Sequence, residues 1–265
     1  MTSGENSESL RETAIAAATA GGRETLKWFR QPIGVENKAT GTGFDPVTAA
    51  DRACERVIRE HIQAQFPDHA IRGEEFDDVG SSEWTWLIDP IDGTRAFISG
   101  FVHWGVLLGL LLNDKPFLGV MAQPFLGEVF VGDGQNASYM RGGESTEINT
   151  RETQNLKDAT FATTDPRLFK KWGDQRVLER IESNVRLVRY GTDCYQYAMV
   201  ALGQLDLVVE NVLKPWDILP LVPIVRGAGG VLTNWQGGDD LSDGYVIASA
   251  NQTLHDQALE RINAD

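Results

Sequence analysis

Trp86-Leu87-Ile88-Asp89-Pro90-Ile91-Asp92-Gly93-Thr94 is the stretch on which the reading of this chain turns. An apolar strand runs straight into two carboxylates three residues apart. Pro90 has no N–H and a fixed φ, so it is expected to end the strand. Gly93 permits an unusual backbone turn. Thr94-Arg95-Ala96-Phe97 then opens what reads as a helix. Carboxylates are hard oxygen ligands suited to Mg²⁺, and N–H groups at a helix start bind phosphate oxygens. One segment therefore offers both halves of a metal-assisted phosphoryl site. Taken alone, it reads equally as a turn with ordinary Asp residues.

Two further segments shift that balance. Gly73-Glu74-Glu75 also follows an apolar strand, and Pro215-Trp216-Asp217 lies far downstream, before Ile218-Leu219-Pro220-Leu221-Val222-Pro223. Two Mg²⁺ ions roughly 4 Å apart need carboxylate oxygens held in rigid places, with water completing the shell. Glu74, Asp89, Asp92 and Asp217 fill that need, whereas Glu75 reads as a solvated or capping acid.

Outward from this segment, residues 8–30 read as a helix weakened by Gly21 and Gly22. Residues 34–46 read as a glycine-rich loop. A second helix follows, capped at Thr48 and ended by Pro67. Short strands are expected at 71–75 and 84–88, then an antiparallel meander at 104–112, 117–123 and 128–132. The polar, glycine-rich residues 132–155 separate two lobes, 1–140 and 141–265. In the second lobe strands are expected at 159–163, 185–189, 205–210, 230–234 and 245–249. Helices are expected at 174–183, 194–203 and 251–263. The sum is a layered α+β or α/β fold.

The 265 residues are 42% hydrophobic and 23% charged, enough to bury an independent core. A net charge of −14 argues against a nucleic-acid surface, which needs clustered Lys and Arg. It leaves room for a small anionic substrate brought in by metal ions. Cys54 and Cys194 form no CxxC pair and read as reduced, buried thiols. The polar N-terminus carries no secretory pattern, and the longest apolar run, Val106 to Leu112, is too short to span a bilayer. A cytoplasmic protein with no membrane partner is expected. His61, His69, His103 and His255 have no metal-binding spacing.

GEE, WLIDPIDGT and WD, in this order and at these spacings, resemble the inositol monophosphatase family of Mg²⁺-dependent phosphatases, from about residue 38 to 235. The resemblance implies a layered αβαβα fold of two lobes, a homodimer, two to three Mg²⁺ ions and hydrolysis of small phosphomonoesters. By the same resemblance Glu74, Asp89 and the carbonyl of Ile91 bind the first metal, and Asp89, Asp92 and Asp217 the second. Glu74 also helps hold a third. Gly93 and Thr94 present N–H groups to phosphate. Asp51, in Val47-Thr48-Ala49-Ala50-Asp51, pairs with Thr94 to orient the attacking water. Lys38 falls on a loop that closes over the metals in this family. Read without the resemblance, Asp51 is an exposed first-turn helix acid.

The choice of alcohol rests on other side chains. Gly191-Thr192-Asp193-Cys194-Tyr195, Val209-Glu210 and Asp92-Gly93-Thr94-Arg95 are most similar to the histidinol-phosphatase branch. Asp193 and Glu210 would hold a cationic amine by charge-assisted hydrogen bonds, with Arg95 on the same substrate side. Asp193 reads equally as a helix cap. An inositol monophosphatase, a 3′(2′),5′-bisphosphate nucleotidase and an inactive regulatory homologue are the alternatives. Pro220 and Pro223 fall where a helix is expected after Asp217, and Arg226 stands where an acidic residue is expected.

Overall fold

The computed structural model describes residues 6–37 and 46–264. Lys38, expected on the closing loop, lies outside the described residues. Helix α1 (Ser7–Thr25) is capped by the Asn6 side chain, and its Leu10, Ala14, Ala17 and Ala18 face the core. Strands β1 (Val35–Asn37) and β2 (Pro46–Thr48) pair antiparallel at the edges of the stretch expected to be loop. At three residues each, they are too short to show a strand period. Helix α2 (Ala49–Gln65) begins in a capping box in which Asp51 accepts from the Thr48 N–H (2.8 Å) and hydroxyl (2.7 Å).

The first sheet opens with β3 (Ala70–Gly73), parallel to β4 (Trp84–Asp92). After the short helix α3 (Thr94–Ile98) it continues as an antiparallel meander. Its strands are β5 (Gly105–Leu112), β6 (Lys115–Gln123), β7 (Glu128–Gly132), β8 (Ala137–Arg141) and β9 (Glu144–Glu147). Strands β8 and β9 lie in the polar stretch expected to be loop. Every residue of β9 is exposed, so nothing apolar marks it.

The second sheet holds β10 (Thr160–Thr163), then, after helices α4 (Pro166–Trp172) and α5 (Gln175–Glu182), β11 (Leu187–Tyr190). Helix α6 (Tyr195–Ala201), strand β12 (Leu207–Glu210) and helices α7 (Pro215–Ile218) and α8 (Leu221–Gly227) follow. Strands β13 (Val231–Asn234) and β14 (Val246–Ser249) and helix α9 (Gln252–Ile262) complete the chain. The strand order is β11-β10-β12-β14-β13, parallel about β10 and antiparallel about β14.

Alternation along the strands builds five layers. Ile88, Val106 and Leu108 pack on Leu10, Ala14, Ile58 and Ile62 of α1 and α2. Leu107 and Met121, on the opposite face, join Ala198, Val200, Leu221 and Ile224 of α6 and α8. Those helices also cover Val208 and Ala248 of the second sheet. The far face, through Phe161, Leu207 and Ile247, meets α4, α5 and α9. This is the αβαβα order that the motifs imply. Trp84, Trp86 and Trp104 are all core residues.

The two prolines after Asp217 are accommodated by splitting the expected helix. Pro220 sits at the cap of α8 and Pro223 in its first turn, where an N–H has no helical partner to lose. Their place on the sheet depends on a row of glycines in register, Gly109, Gly119 and Gly132, across β5, β6 and β7. A Cβ on Gly119 would lie 1.8 Å from the Pro220 carbonyl oxygen, and one on Gly132 2.4 Å from that of Pro223. The bare backbone lets the Pro220–Pro223 turn touch the sheet, which carries Asp217 toward β4. Arg226 is turned to the loop beyond, donating to the Leu232 carbonyl (2.8 Å) and to Asp239.

Candidate active site

In a regular strand residues 89 and 92 would face opposite sides of the sheet, because side chains alternate with a period of two. Strand β4 is not regular there. Asp89 pairs with Leu107 and Asp92 with Gly105, and the register shifts between them. Pro90 therefore does not end the strand. It sits inside the irregularity, where a missing N–H breaks no ladder bond. The odd spacing plus the shift returns both carboxylates to one side. Asp217 joins them from α7, its Oδ2 held by the Lys214 N–H (2.8 Å). Carboxylate oxygens of Asp89, Asp92 and Asp217 all lie within 4.8 Å of one another.

These three acids, with Glu74, Ile91, Gly93, Thr94, Arg95 and Asp193, line an open cleft of about 410 Å³. Glu74 is placed by its own N–H, which donates to the Ile88 carbonyl (3.2 Å) across from β4. Asp89 is buried at 2% exposure and is also bonded within its turn, Oδ1 accepting from the Ile91 N–H (3.0 Å). Burial pushes its carboxyl well above the usual range, and Glu74, Asp92, Asp217 and Asp51 add repulsion. Asp217 is raised by burial and then by Asp92. Asp92 is pushed up to about 8 by burial and by Asp193, against a 2.5 Å bond from the Cys194 N–H. The donor set is all oxygen, partly buried, and internally repulsive until a cation neutralises it. That is the chemistry of a hard divalent ion such as Mg²⁺.

Gly93 precedes α3 with φ of +82°, a conformation an L side chain rarely adopts. A Cβ there would also stand 3.0 Å from Asp193 atoms and 3.1 Å from the His103 carbonyl oxygen. Gly93→Ala is expected to displace the turn and lower phosphate release on the order of 10²-fold, the cost of misplacing a reacting group by about 1 Å. Steady-state rates on a protein with unchanged far-UV circular dichroism test this. A parent-like rate would overturn it.

Among the described residues, no hydrogen bond joins the expected Thr94–Asp51 pair. The Thr94 hydroxyl lines the cleft and donates to the Ile91 carbonyl (3.0 Å). Asp51 is 1% exposed, its carboxylate on Thr48, and burial raises it to about 6. It is a first-turn acid, but a buried one.

Asp193 does not cap α6 through its side chain. That position belongs to Cys194, and Asp193 takes φ of +40°. Asp193 stands between the main cleft and a second cavity of about 380 Å³ that it shares with Arg95, Asp165 and Arg167. Glu210 is buried and already accepts from the Thr164 N–H (2.7 Å) and the Tyr197 hydroxyl (3.3 Å). It borders a smaller cavity of about 80 Å³ beside Asp92 and Asp193. Its oxygens are thus spoken for by the protein more than those of Asp193.

Several wall residues escape a sequence reading. Leu168, Lys171 and Trp172 come from α4, which residues 159–174 did not suggest. The available signal was Asp165-Pro166, an N-cap followed by proline at the first helical position. Val212 also lines the cleft with φ of +61°, an outlier for a β-branched residue that no local pattern announces. The histidines stay off the metal side. His69 accepts from Trp86 Nε1 (3.0 Å) and His255 bonds Thr233 and Ser249, its pKa lowered by burial to about 4. Both cysteines are free and buried. No helix among the described residues is long and apolar enough to cross a membrane.

Comparison with known proteins agrees with this geometry. Residues 6–264 match the inositol monophosphatase family. A bifunctional phosphatase, IMPL2, from Arabidopsis thaliana is 37% identical over 259 residues, covering 93% of this chain and 73% of that protein. A histidinol-phosphatase from Chlorobaculum parvum is 33% identical, covering 92% of both. The structure of an inositol monophosphatase from Zymomonas mobilis superposes with a TM-score of 0.84 at 36% identity, over 97% of this chain and 99% of that one. On the layered fold, the ordered acidic motifs and a match along nearly its whole length, this chain belongs to the inositol monophosphatase family of phosphatases.

Proposed function

We propose that this protein is a Mg²⁺-dependent phosphomonoesterase that hydrolyses L-histidinol phosphate to L-histidinol and phosphate. The observation that carries the reading is the acidic trio, within 4.8 Å, on a cleft whose wall includes Asp193. Asp89, Asp92 and Asp217, with Glu74 and the Ile91 carbonyl, would hold the metal, which supplies Lewis-acid charge neutralisation and a more acidic water. Thr94, whose hydroxyl is held on the Ile91 carbonyl at the cleft wall, would orient the attacking water. It is the member of the Thr94–Asp51 pair that reaches the cleft. N–H groups of Gly93 and Thr94, at the start of α3, favour the charge that builds on the phosphoryl oxygens. Attack is direct and in line, with no covalent nucleophile.

Asp193 supports the choice of alcohol. An amine-bearing leaving group would bring its cation to Asp193, which lines both the main cleft and the second cavity beside Arg95 and Asp165. Charge-assisted hydrogen bonds are worth roughly 1.5–3 kcal/mol. Phosphate release with Mg²⁺ from L-histidinol phosphate, myo-inositol 1-phosphate and adenosine 3′,5′-bisphosphate tests the reading, with EDTA controls. The highest kcat/KM is expected for histidinol phosphate. Asp193→Asn is expected to lower that value about tenfold or more while leaving a neutral phosphomonoester little changed. Preference for inositol phosphate would keep the metal site and replace the alcohol. No release from any member would favour an inactive homologue.

A further inference from the structure

Glu55 lies on α2, away from the cleft lining, and is fully buried. Its Oε1 accepts from Arg59 Nε (2.8 Å), one turn on, and its Oε2 accepts from the backbone N–H of Glu75 (2.8 Å). Arg59, itself 8% exposed, reaches past to the Phe76 carbonyl (3.1 Å), and its guanidinium lies 5.8 Å from the Phe76 ring centroid. On the other side Glu74 is tied by its N–H to Ile88. Three consecutive residues, 74 to 76, are thus anchored at the backbone, from β4 on one side and α2 on the other. Gly73 completes the device, because a Cβ there would lie 2.1 Å from Glu55 Oε1. Only glycine lets the carboxylate come up under the chain.

A buried ion pair is an expensive way to hold a loop. Desolvating both partners offsets most of their attraction, and an apolar pair of similar volume often serves stability as well. What the pair provides that an apolar contact cannot is directional hydrogen bonding to two peptide groups immediately after a site acid. We infer that Glu55, with Arg59, is a positioning residue that sets the orientation of Glu74 toward Asp89 and Asp217. The inference rests on the reading of Glu74 as a metal ligand given under Proposed function. Groups that orient a ligand typically contribute 10–100-fold to metal affinity, and Glu55 acts one residue further out, through the peptide that follows Glu74.

The test is a double-mutant cycle read by calorimetric titration of the full chain with Mg²⁺ alone, without substrate. Glu55→Ala is expected to weaken Mg²⁺ binding about tenfold. Glu55→Gln, which keeps an oxygen for the Glu75 N–H, is expected to weaken it less. In a Glu74→Gln background Glu55→Ala should add almost nothing, because a residue acting through Glu74 loses its effect when Glu74 is gone. A merely structural Glu55 would weaken both backgrounds equally, and that additivity overturns the proposal. So does a parent-like affinity in Glu55→Ala while Glu74→Gln binds weakly. If Glu74→Gln itself binds Mg²⁺ like the parent, the reading of Glu74 fails instead. Should Glu55→Ala not fold, Glu55→Gln carries the same cycle, its thermal midpoint confirming an intact fold.

Discussion

Asp89→Asn is expected to reduce Mg²⁺-dependent phosphate release at least on the order of 10³-fold, while the metal-free protein becomes no less stable than the parent. The activity loss follows from position. Asp89 is the most buried of the three acids that converge within 4.8 Å, and it is the one repelled by Glu74, Asp92, Asp217 and Asp51 together. Removing one preorganised charged group from such a site costs at least about 10²–10³ in rate, and under the proposed function the same group would also hold the metal. The stability half has the opposite sign. With no cation bound, Asp89 is a buried carboxylate among like charges, and an amide of the same shape removes the repulsion. The raised carboxyl pKa values are the mark of a site that trades stability for function. Rates with each phosphomonoester, and thermal midpoints in EDTA, measure the two halves. A parent-like rate would mean that the metal site is misassigned. A lower midpoint in EDTA would mean that Asp89 is a structural hydrogen-bond acceptor first.

The second large effect is a linkage between pH, Mg²⁺ and stability. Asp51 is raised to about 6, Asp193 to about 7 and Asp92 to about 8, in each case chiefly by burial, and Asp89 and Asp217 are raised as well. An acid whose folded pKa exceeds its unfolded value binds protons more tightly when folded. Stability therefore falls as pH rises from the unfolded carboxylate value, about 4, through these folded values. In EDTA the thermal midpoint is expected to drop steadily between pH 5 and 8. Mg²⁺ reverses the loss, since ligands must be deprotonated to bind it. At a hundredfold excess over its dissociation constant, a ligand adds about 2.7 kcal/mol. In a chain of this size that raises the midpoint by roughly 5–10 °C. The Mg²⁺ shift should be large at pH 8 and small at pH 5. A midpoint in EDTA that climbs from pH 5 to 8, or an equal Mg²⁺ shift at both, would sink this account.

Much of the site could be read from the chain because its chemistry is carried by residue types at short range. The run of apolar residues into Asp89, the glycine at 93 and the helix-starting Thr94 are adjacent in sequence, so their local meaning survives any tertiary arrangement. The αβαβα layering was legible only through the resemblance that the ordered acidic motifs carry. Leu107 and Leu108 enter different cores, yet the all-apolar run around them shows no alternation in the letters. The polar hairpin of β8 and β9 was not legible. An exposed edge pair buries no repeating face, so its residues carry no periodic signal. Helix α4 is announced in the sequence only by Asp165-Pro166, and it supplies one wall of the cleft.

What the sequence determined by itself was therefore the inventory: which oxygens are available, on which strands and helix starts, and in what order. Only the tertiary structure decided how they meet. The register shift around Pro90 puts Asp89 and Asp92 on one side, although their odd spacing on a regular strand would part them. Three glycines on neighbouring strands admit the Pro220–Pro223 turn and so bring Asp217 across more than a hundred residues of chain. Strand register and the close approach of backbones depend on partners distant in the chain. Their physics is steric and pairwise, and no single segment contains both members of the pair.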